Sequence, residues 1–183
     1  MKPLYVVVFG AERIGVSSIC SRVNQALLNR KVASTLVQPD QLGKLSHASS
    51  IKTIKPQVVI VDSHPLLKTK PGKTWVNTSL ALEAAVGVRL QGIAKHLCEL
   101  PVGTYRGADK FRSQEDWFKA QARVDQLTAD DLGISTIKNV HVDPANHGHY
   151  ARLYATSKLL DLVLWELSKT PQPAGRTNYG DAA

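Results

Sequence analysis

Blocks of apolar residues alternate with polar stretches in the first third of the chain, and they predict strands and helices in turn. Residues 3–9 are a short run of apolar, mostly β-branched and aromatic residues that stops at a glycine, which is typical of a strand buried on both faces. Apolar residues at helical spacing follow over 19–31, and residues 32–37 and 57–62 have the composition of two further strands. Residues 42–54 predict a helix between these two strands.

The middle of the chain gives a less regular pattern. Residues 63–77 are rich in Lys, Pro and Thr and predict a loop. Residues 78–100 have a mostly helical composition, within which residues 86–88 form an alternative short strand. Residues 101–105 are a further candidate strand.

The C-terminal third predicts a helix over 114–127, a strand over 136–143 and a helix over about 148–168. All the elements together predict a three-layer α/β/α domain with a five-stranded, mainly parallel sheet over residues 1–169. Residues 170–183 are rich in Pro and Gly and predict a flexible tail. The last helix has a stripe that is expected to face the core, at Leu153, Thr156, Leu160, Val163 and Leu167.

The composition is that of a single folded domain without membrane spans, disulfides or a cysteine zinc site. A chain of 183 residues suits one domain, and its hydrophobic fraction of 43% excludes a mostly disordered chain. No apolar run approaches the ~20 residues of a membrane span, so no membrane association is expected. Two cysteines, Cys20 and Cys98, make neither a disulfide framework nor a zinc site, and a cytoplasmic location is expected.

Positive charge is concentrated in the first half of the chain. The sequence has 23 Lys+Arg against 15 Asp+Glu, and residues 43–82 contain six lysines but only one acid, Asp62. This distribution favours an anionic partner, either the phosphates of a nucleotide or a nucleic-acid backbone. A solvated lysine surface without a partner is the alternative. The oligomeric state stays open.

The junction between the first strand and the first helix has the glycine spacing of a phosphate-binding loop. Gly10 and Gly15 are followed by Ser17 and Ser18 at the expected start of the helix. Glycines let backbone N–H groups turn toward a phosphate, and the helix N-terminus adds partial positive charge. The motif G-x-x-x-x-G-K-[ST] has a lysine where this chain has Val16. We call this segment, from the first glycine to the second serine, the phosphate loop; an ordinary strand-to-helix turn is the alternative.

The third predicted strand ends in a candidate metal-binding carboxylate. Four apolar residues, 58–61, precede Asp62. In nucleotide-binding α/β proteins, an acid at the carboxyl end of a central strand lies beside the phosphate loop and orients hydrated Mg²⁺. Ser17 and Asp62 are therefore the predicted magnesium-binding residues.

Residues 61–72, with the sequence VDSHPLLKTKPG, resemble the strand–Asp–Thr–His and the following Lys–Thr–Pro and Gly of archaeal-type adenylate kinases. The phosphate loop is similar to that of the same family, in which the lysine can be absent and two hydroxyl residues follow. Residues 109–112 are similar to an arginine-bearing lid, and residues 134–143 with the last helix are similar to the closing strand and helix. The resemblance covers most of the chain as separate motifs and implies a P-loop kinase-like fold with ATP and Mg²⁺ as cofactors.

The chain departs from this family at two places. Only residues 39–55 stand where the family has a long monophosphate-binding section, and in the phosphate loop Glu12 and Arg13 replace small residues. Val16 is also bulkier than the small residues that the family uses in place of the lysine. A catalytically inactive descendant of the fold is therefore the alternative to an enzyme.

The resemblance also implies roles for individual residues. The loop amides up to Ser18 hold the β-phosphate, while Arg106 and Arg112 are lid cations that stabilise charge on the transferred phosphoryl group. We also expect that Arg13 takes over from the absent lysine by reaching back to the phosphates.

Three other kinds of site are possible from the residue types present. Asp143, His147 and His149 are similar to the Asp/His end of a serine hydrolase, but no serine follows the first strand. The same three residues are a candidate metal site, with exposed turn histidines as the alternative. A ribonuclease-H-type nuclease requires several converging carboxylates, and Val8 stands where its first-strand acid belongs.

Two functions from different classes follow. The first is an ATP-dependent phosphotransferase that acts on a nucleoside monophosphate or a similar small acceptor. The second is a non-catalytic module that binds a nucleotide, or a nucleic acid through the basic N-terminal half. Ser17 and Asp62 favour the first, and Val16 and Glu12 favour the second.

Overall fold

A five-stranded parallel sheet with helices on both faces forms the framework of the protein. The structure is a computed structural model that describes residues 3–10, 15–37, 56–63, 85–91, 119, 122–123, 125–127, 129–130, 132–141 and 149–170. Its elements are β1 (Leu4–Gly10), α1 (Val16–Asn29), β2 (Ser34–Val37), β3 (Val58–Asp62), β4 (Ala85–Gln91), β5 (Ile137–His141) and α2 (His149–Lys169). The residues described between 119 and 130 are also helical.

The strand order is β2-β3-β1-β4-β5, and every neighbouring pair is parallel. β1 therefore lies in the middle of the sheet. It aligns Val8 with Asp62 of β3 on one side and Gly10 with Leu90 of β4 on the other. The expected α/β class with a five-stranded parallel sheet is confirmed.

The alternation of side chains along β1 builds two cores, one on each face of the sheet. Val6 and Val8 are fully buried on the face that α1 and α2 cover. Val7 and Phe9 are buried on the opposite face, where they join Ala129 of the helical residues there. Burial on both sides explains why β1 is a continuous apolar run, and the helices on the two faces confirm the predicted three layers.

α1 begins at Val16, three residues before the expected start, and ends where the sequence predicts. At its C-terminus, Lys31 N–H donates to Leu28 O at 2.9 Å and Val32 N–H donates to Leu27 O at 3.0 Å. These bonds form a Schellman motif, which places Lys31 in the left-handed region at φ 61°. The motif satisfies the last carbonyls of the helix and turns the chain toward β2.

β4 corrects the sequence-based prediction for the middle of the chain. The helix expected over 78–100 is wrong for residues 85–91, where the alternative short strand is confirmed and is longer than predicted. A β-carbon on Gly87 would lie 3.1 Å from side-chain atoms of both Ile134 and Ile137. The glycine therefore allows the chain to pack closely beside β4.

α2 confirms the predicted last helix but turns its apolar face differently. Leu160, Val163 and Leu167 are buried as expected, whereas Leu153 is 42% exposed. Ala155 and Leu159, which are not part of the predicted stripe, are fully buried in the core. The expectation that Leu153 faces the core is wrong, because α1 and the sheet meet α2 along an adjacent line of residues.

Several predictions concern residues that the structure does not describe. They are the helix over 42–54, most of the loop over 63–77, the strand over 101–105 and most of the tail over 170–183. For the helices that the structure does describe, none has both the length and the apolar character needed to span a bilayer.

Candidate phosphate-binding site

The candidate site lies at the carboxyl edge of the sheet, where β1 ends at Gly10. The chain that leaves β1 enters α1 on one face of the sheet. The helical residues that follow β4 in the sequence pack on the opposite face, through Ala129. Adjacent parallel strands whose helices lie on opposite faces leave a crevice at their carboxyl ends, where α/β proteins bind ligands.

The N-terminus of α1 presents backbone N–H groups at this edge. The first bond within the helix runs from Ile19 N–H to Gly15 O at 2.9 Å. The amides of Val16, Ser17 and Ser18 precede it and therefore have no acceptor inside the helix. Gly15 adopts φ 88° and caps the helix without a side-chain hydrogen bond, and the first turn contains no acidic residue. Among the described residues, no side chain caps these amides, and amides of this kind at a helix N-terminus are the donors that the phosphate-loop prediction requires.

Val16 occupies the position of the usual lysine, but its side chain points into the protein. It is fully buried in the core beneath α1, together with Ile19 and Val23. At this position only the backbone amide is available to a ligand. Ser17, by contrast, is exposed at the start of the helix, and Ser18 is partly exposed.

Asp62 ends β3 on the same face of the sheet as α1, in line with the core residues Val58 and Ile60. Its side chain is buried, with the residue only 3% exposed. Asp62 also acts electrostatically on Cys20, which lies one turn beyond Ser17 in α1. Burial raises the pKa of the Cys20 thiol well above its ordinary value, and the negative charge of Asp62 raises it further.

Ser63 fixes the end of β3 beside β1. Both its backbone N–H and its hydroxyl donate to the carbonyl oxygen of Val8, and the residue is buried. Val8 also aligns with Asp62 in the sheet. The two hydrogen bonds from Ser63 therefore hold Asp62 beside the C-terminal end of β1. The position of Asp62 is therefore set by the backbone and by a neighbouring side chain.

The residues present suit a phosphate and a magnesium ion in part. Backbone N–H donors at a helix N-terminus match phosphate oxygens, and the hydroxyl of Ser17 and the carboxylate of Asp62 are the hard oxygen donors that Mg²⁺ prefers. Val16 does not supply the cation that usually bridges the outer phosphates. A nucleotide at this edge therefore needs positive charge from another residue.

The remaining predicted site residues fall outside the described part of the chain. This applies to Arg13, Arg106 and Arg112, and to Asp143 and His147 of the alternative metal site. In the ranges that are described, no group of three or more His, Cys, Asp or Glu side chains could hold a metal ion.

Two arginines near this edge were missed by the sequence-based analysis. Arg89 of β4 forms an ion pair with Asp125 at 3.4 Å and donates to Ala122 O at 3.1 Å, which ties the helical layer to the sheet. Arg152, in the first turn of α2, lies against Gly15. Neither residue belongs to a local motif, so only the packing of distant segments reveals them.

Comparisons with known proteins give distant structural matches only. No protein-family model matches the chain, and no curated protein has a similar sequence. Among solved structures, polyphosphate kinase 2 from Arthrobacter aurescens TC1 is 16% identical, with a TM-score of 0.42 over 96% of this chain and 73% of that one. A gluconokinase from Sinorhizobium meliloti 1021 is also 16% identical, with a TM-score of 0.36 over 90% of this chain and 98% of that one. At these TM-scores the matches assign neither a family nor an activity.

Proposed function

We propose that the protein binds the phosphates of a nucleoside triphosphate at the phosphate loop and transfers the terminal phosphoryl group to a small acceptor. One observation carries the proposal: α1 begins at the carboxyl edge of a parallel sheet, the three amides of its first turn have no acceptor within the helix, and the buried Asp62 ends β3 on the face of the sheet that α1 covers. Helix amides and a strand-end carboxylate are two of the parts that phosphoryl transfer uses in proteins of this fold class.

In the proposed reaction, an acceptor oxygen forms a bond to the terminal phosphorus while the bond to the bridging oxygen breaks and the nucleoside diphosphate leaves. The amides of Val16, Ser17 and Ser18 would bind the phosphates that remain on the nucleotide. Magnesium, when bound, neutralises charge on the phosphates, and Ser17 and Asp62 are the residues proposed to hold it. Arg106 and Arg112 are proposed as cations that stabilise the transferred group, and Arg13 as a further contact.

A nucleoside monophosphate is the proposed acceptor because residues 61–72 resemble archaeal-type adenylate kinases. This part of the proposal rests on the motif alone. A panel of nucleoside monophosphates, with other small hydroxyl and phosphate acceptors beside them, is therefore the appropriate set of substrates.

A non-catalytic nucleotide-binding module is the second candidate. The burial of Val16 favours it, because a phosphate loop without its lysine loses a cation that bridges the outer phosphates. Such a module would bind a magnesium–nucleotide complex without transferring a phosphoryl group.

The test measures binding and transfer separately. Calorimetry with magnesium–ADP and magnesium–ATP reports binding, and an assay of the acceptor panel reports transfer. In Asp62→Asn we expect transfer to fall by about 10²- to 10³-fold, the usual effect of removing one electrostatic group from a reaction centre. Asp161→Asn makes the same chemical change at an exposed position of α2 and should leave the rate unchanged.

The outcomes distinguish the candidates. Binding with transfer that depends on Asp62 supports the enzyme, and binding without transfer supports the module. If neither nucleotide binds, while DNA or RNA binds in a salt-sensitive way, both nucleotide proposals fail. Circular dichroism and thermal unfolding of Asp62→Asn would show whether a loss of activity is only a loss of fold, because Asp62 is buried.

A further inference from the structure

Arg152 approaches the phosphate loop from a different helix. A β-carbon placed on Gly15 would lie 3.3 Å from Nε and 3.8 Å from Cζ of Arg152, so the guanidinium group lies against the glycine that caps α1. The residue is exposed, and it belongs to the first turn of α2, which packs alongside α1. The packing of the two helices thus brings an arginine to the N-terminus of α1.

Within the described part of the chain, Arg152 faces the partial positive charge of the α1 N-terminus and no paired carboxylate. The first turns of α1 and α2 contain no acidic residue. Among the residues that the structure describes, no carboxylate forms an ion pair with Arg152. A helix N-terminus carries partial positive charge and normally attracts anions, so a guanidinium group beside it is in an unfavourable field. An anion bound between the amides and the guanidinium group would be attracted by both.

The position of Arg152 complements the absence of a lysine at Val16. Val16 is buried and leaves only its amide to a ligand, whereas Arg152 places its charged group at the adjacent residue, Gly15. A guanidinium group presents several donors in one plane and can bind two phosphate oxygens at once. The absence of a side chain at Gly15 also matters, because a β-carbon there would crowd Arg152.

We propose that Arg152 is the cation that contacts the phosphates of the bound nucleotide, in place of the lysine that Val16 replaces. This inference rests on the proposed function and adds to it the residue that recognises the phosphate groups. It also competes with Arg13, for which the sequence alone suggests the same role. The two arginines can be separated by mutation.

The experiment is calorimetry of the full chain with magnesium–ADP, with adenosine as the ligand that lacks phosphates. In Arg152→Gln we expect ADP affinity to fall by about 10- to 100-fold, as for the loss of a charge-assisted hydrogen bond, and adenosine affinity to stay the same. Arg152→Lys should recover part of the loss, because it keeps the charge without the planar group. Arg30→Gln, at the opposite end of α1, is the matched control and should bind ADP like the unmodified protein.

A second neutral variant is needed in case Arg152→Gln does not fold. Arg152→Met keeps the aliphatic stem against Gly15, and thermal unfolding would show which of the two neutral variants is folded. A loss of ADP affinity in a folded neutral variant, with adenosine unaffected, supports the inference. Unchanged ADP affinity in either folded neutral variant overturns it, as does a loss found only in Arg13→Gln. If the unmodified protein fails to bind ADP, the proposed function itself fails.

Discussion

Val16 and Arg152 are the two residues at which the proposed site differs from a phosphate loop with its lysine. The side chain of Val16 is directed into the core, where it stabilises α1 by burial instead of binding a ligand. Arg152 brings a guanidinium group to the same helix end from α2. At the residue scale, the site therefore combines local parts, which are the amides and Asp62, with a charge supplied from a distance.

Glu166 gives a prediction at the residue scale. It accepts hydrogen bonds from Lys138 of β5 and, at 3.1 Å, from Lys169. The Lys138 bond, and secondarily Lys169, lowers the pKa of Glu166 below its ordinary value. Because the folded-state pKa is lowered, the pair stabilises the protein above the unfolded-state pKa, and this stability is lost as the pH falls through the folded-state value.

Glu166→Gln should therefore reduce the free energy of unfolding by about 0.5–1 kcal/mol at pH 7, a value kept small because the side chains of Lys138 and Lys169 are 40% and 49% exposed. The difference from the unmodified protein should disappear at an acid pH below the lowered pKa of Glu166, because the carboxyl group is then protonated in the unmodified protein too. Denaturant titrations at the two pH values measure it. An equal difference at both pH values would contradict the charge-based explanation and indicate a packing effect.

The elements differ in how far their own sequence determines them. β1 and β3 are buried on both faces, so their β-branched runs are recognisable without knowledge of their neighbours. β4 is different because it contains a glycine and an arginine, and it becomes a strand through pairing with β1 and β5. α2 is recognisable as a helix, but the side that it buries depends on where α1 lies.

Two leucines of α2 test this account of its buried side. Leu159→Ala should reduce the free energy of unfolding by about 2–5 kcal/mol, because Leu159 is fully buried between the helix and the sheet. Leu153→Ala, at a position 42% exposed, should change it by less than about 0.5 kcal/mol. Urea unfolding of both variants measures the difference. Similar losses in the two variants would show that α2 is rotated from the orientation described.

The whole molecule carries a formal charge of +8, and all six lysines of its basic stretch, residues 43–82, fall outside the described residues. Among the described residues, the framework is the parallel sheet, the two helices that cover one of its faces, and the helical residues on the other. Within that framework, the phosphate loop joins β1 and α1, and Asp62 and Arg152 approach from β3 and α2. A ligand at this edge would therefore contact four elements at once and should stabilise the whole fold.

Thermal unfolding tests this expectation. Magnesium–ADP at about 100 times its Kd should add roughly 2.7 kcal/mol of stability and raise the Tm by roughly 5–10 °C for a chain of this size. Adenosine at the same concentration should have a smaller effect, because it lacks the phosphates. Equal shifts with the two ligands would indicate binding that does not use the phosphate loop.

The sequence by itself determined the α/β class, the positions of β1, α1 and β3, and the glycine spacing of the phosphate loop. These features depend on the periodicity and local geometry of neighbouring residues, which a linear pattern contains. Only the tertiary structure decided that residues 85–91 form a strand, that Val16 is buried, and that Arg152 meets Gly15. Each of these depends on contacts between segments far apart in the chain, which are set by how the helices and strands pack together and not by any local preference.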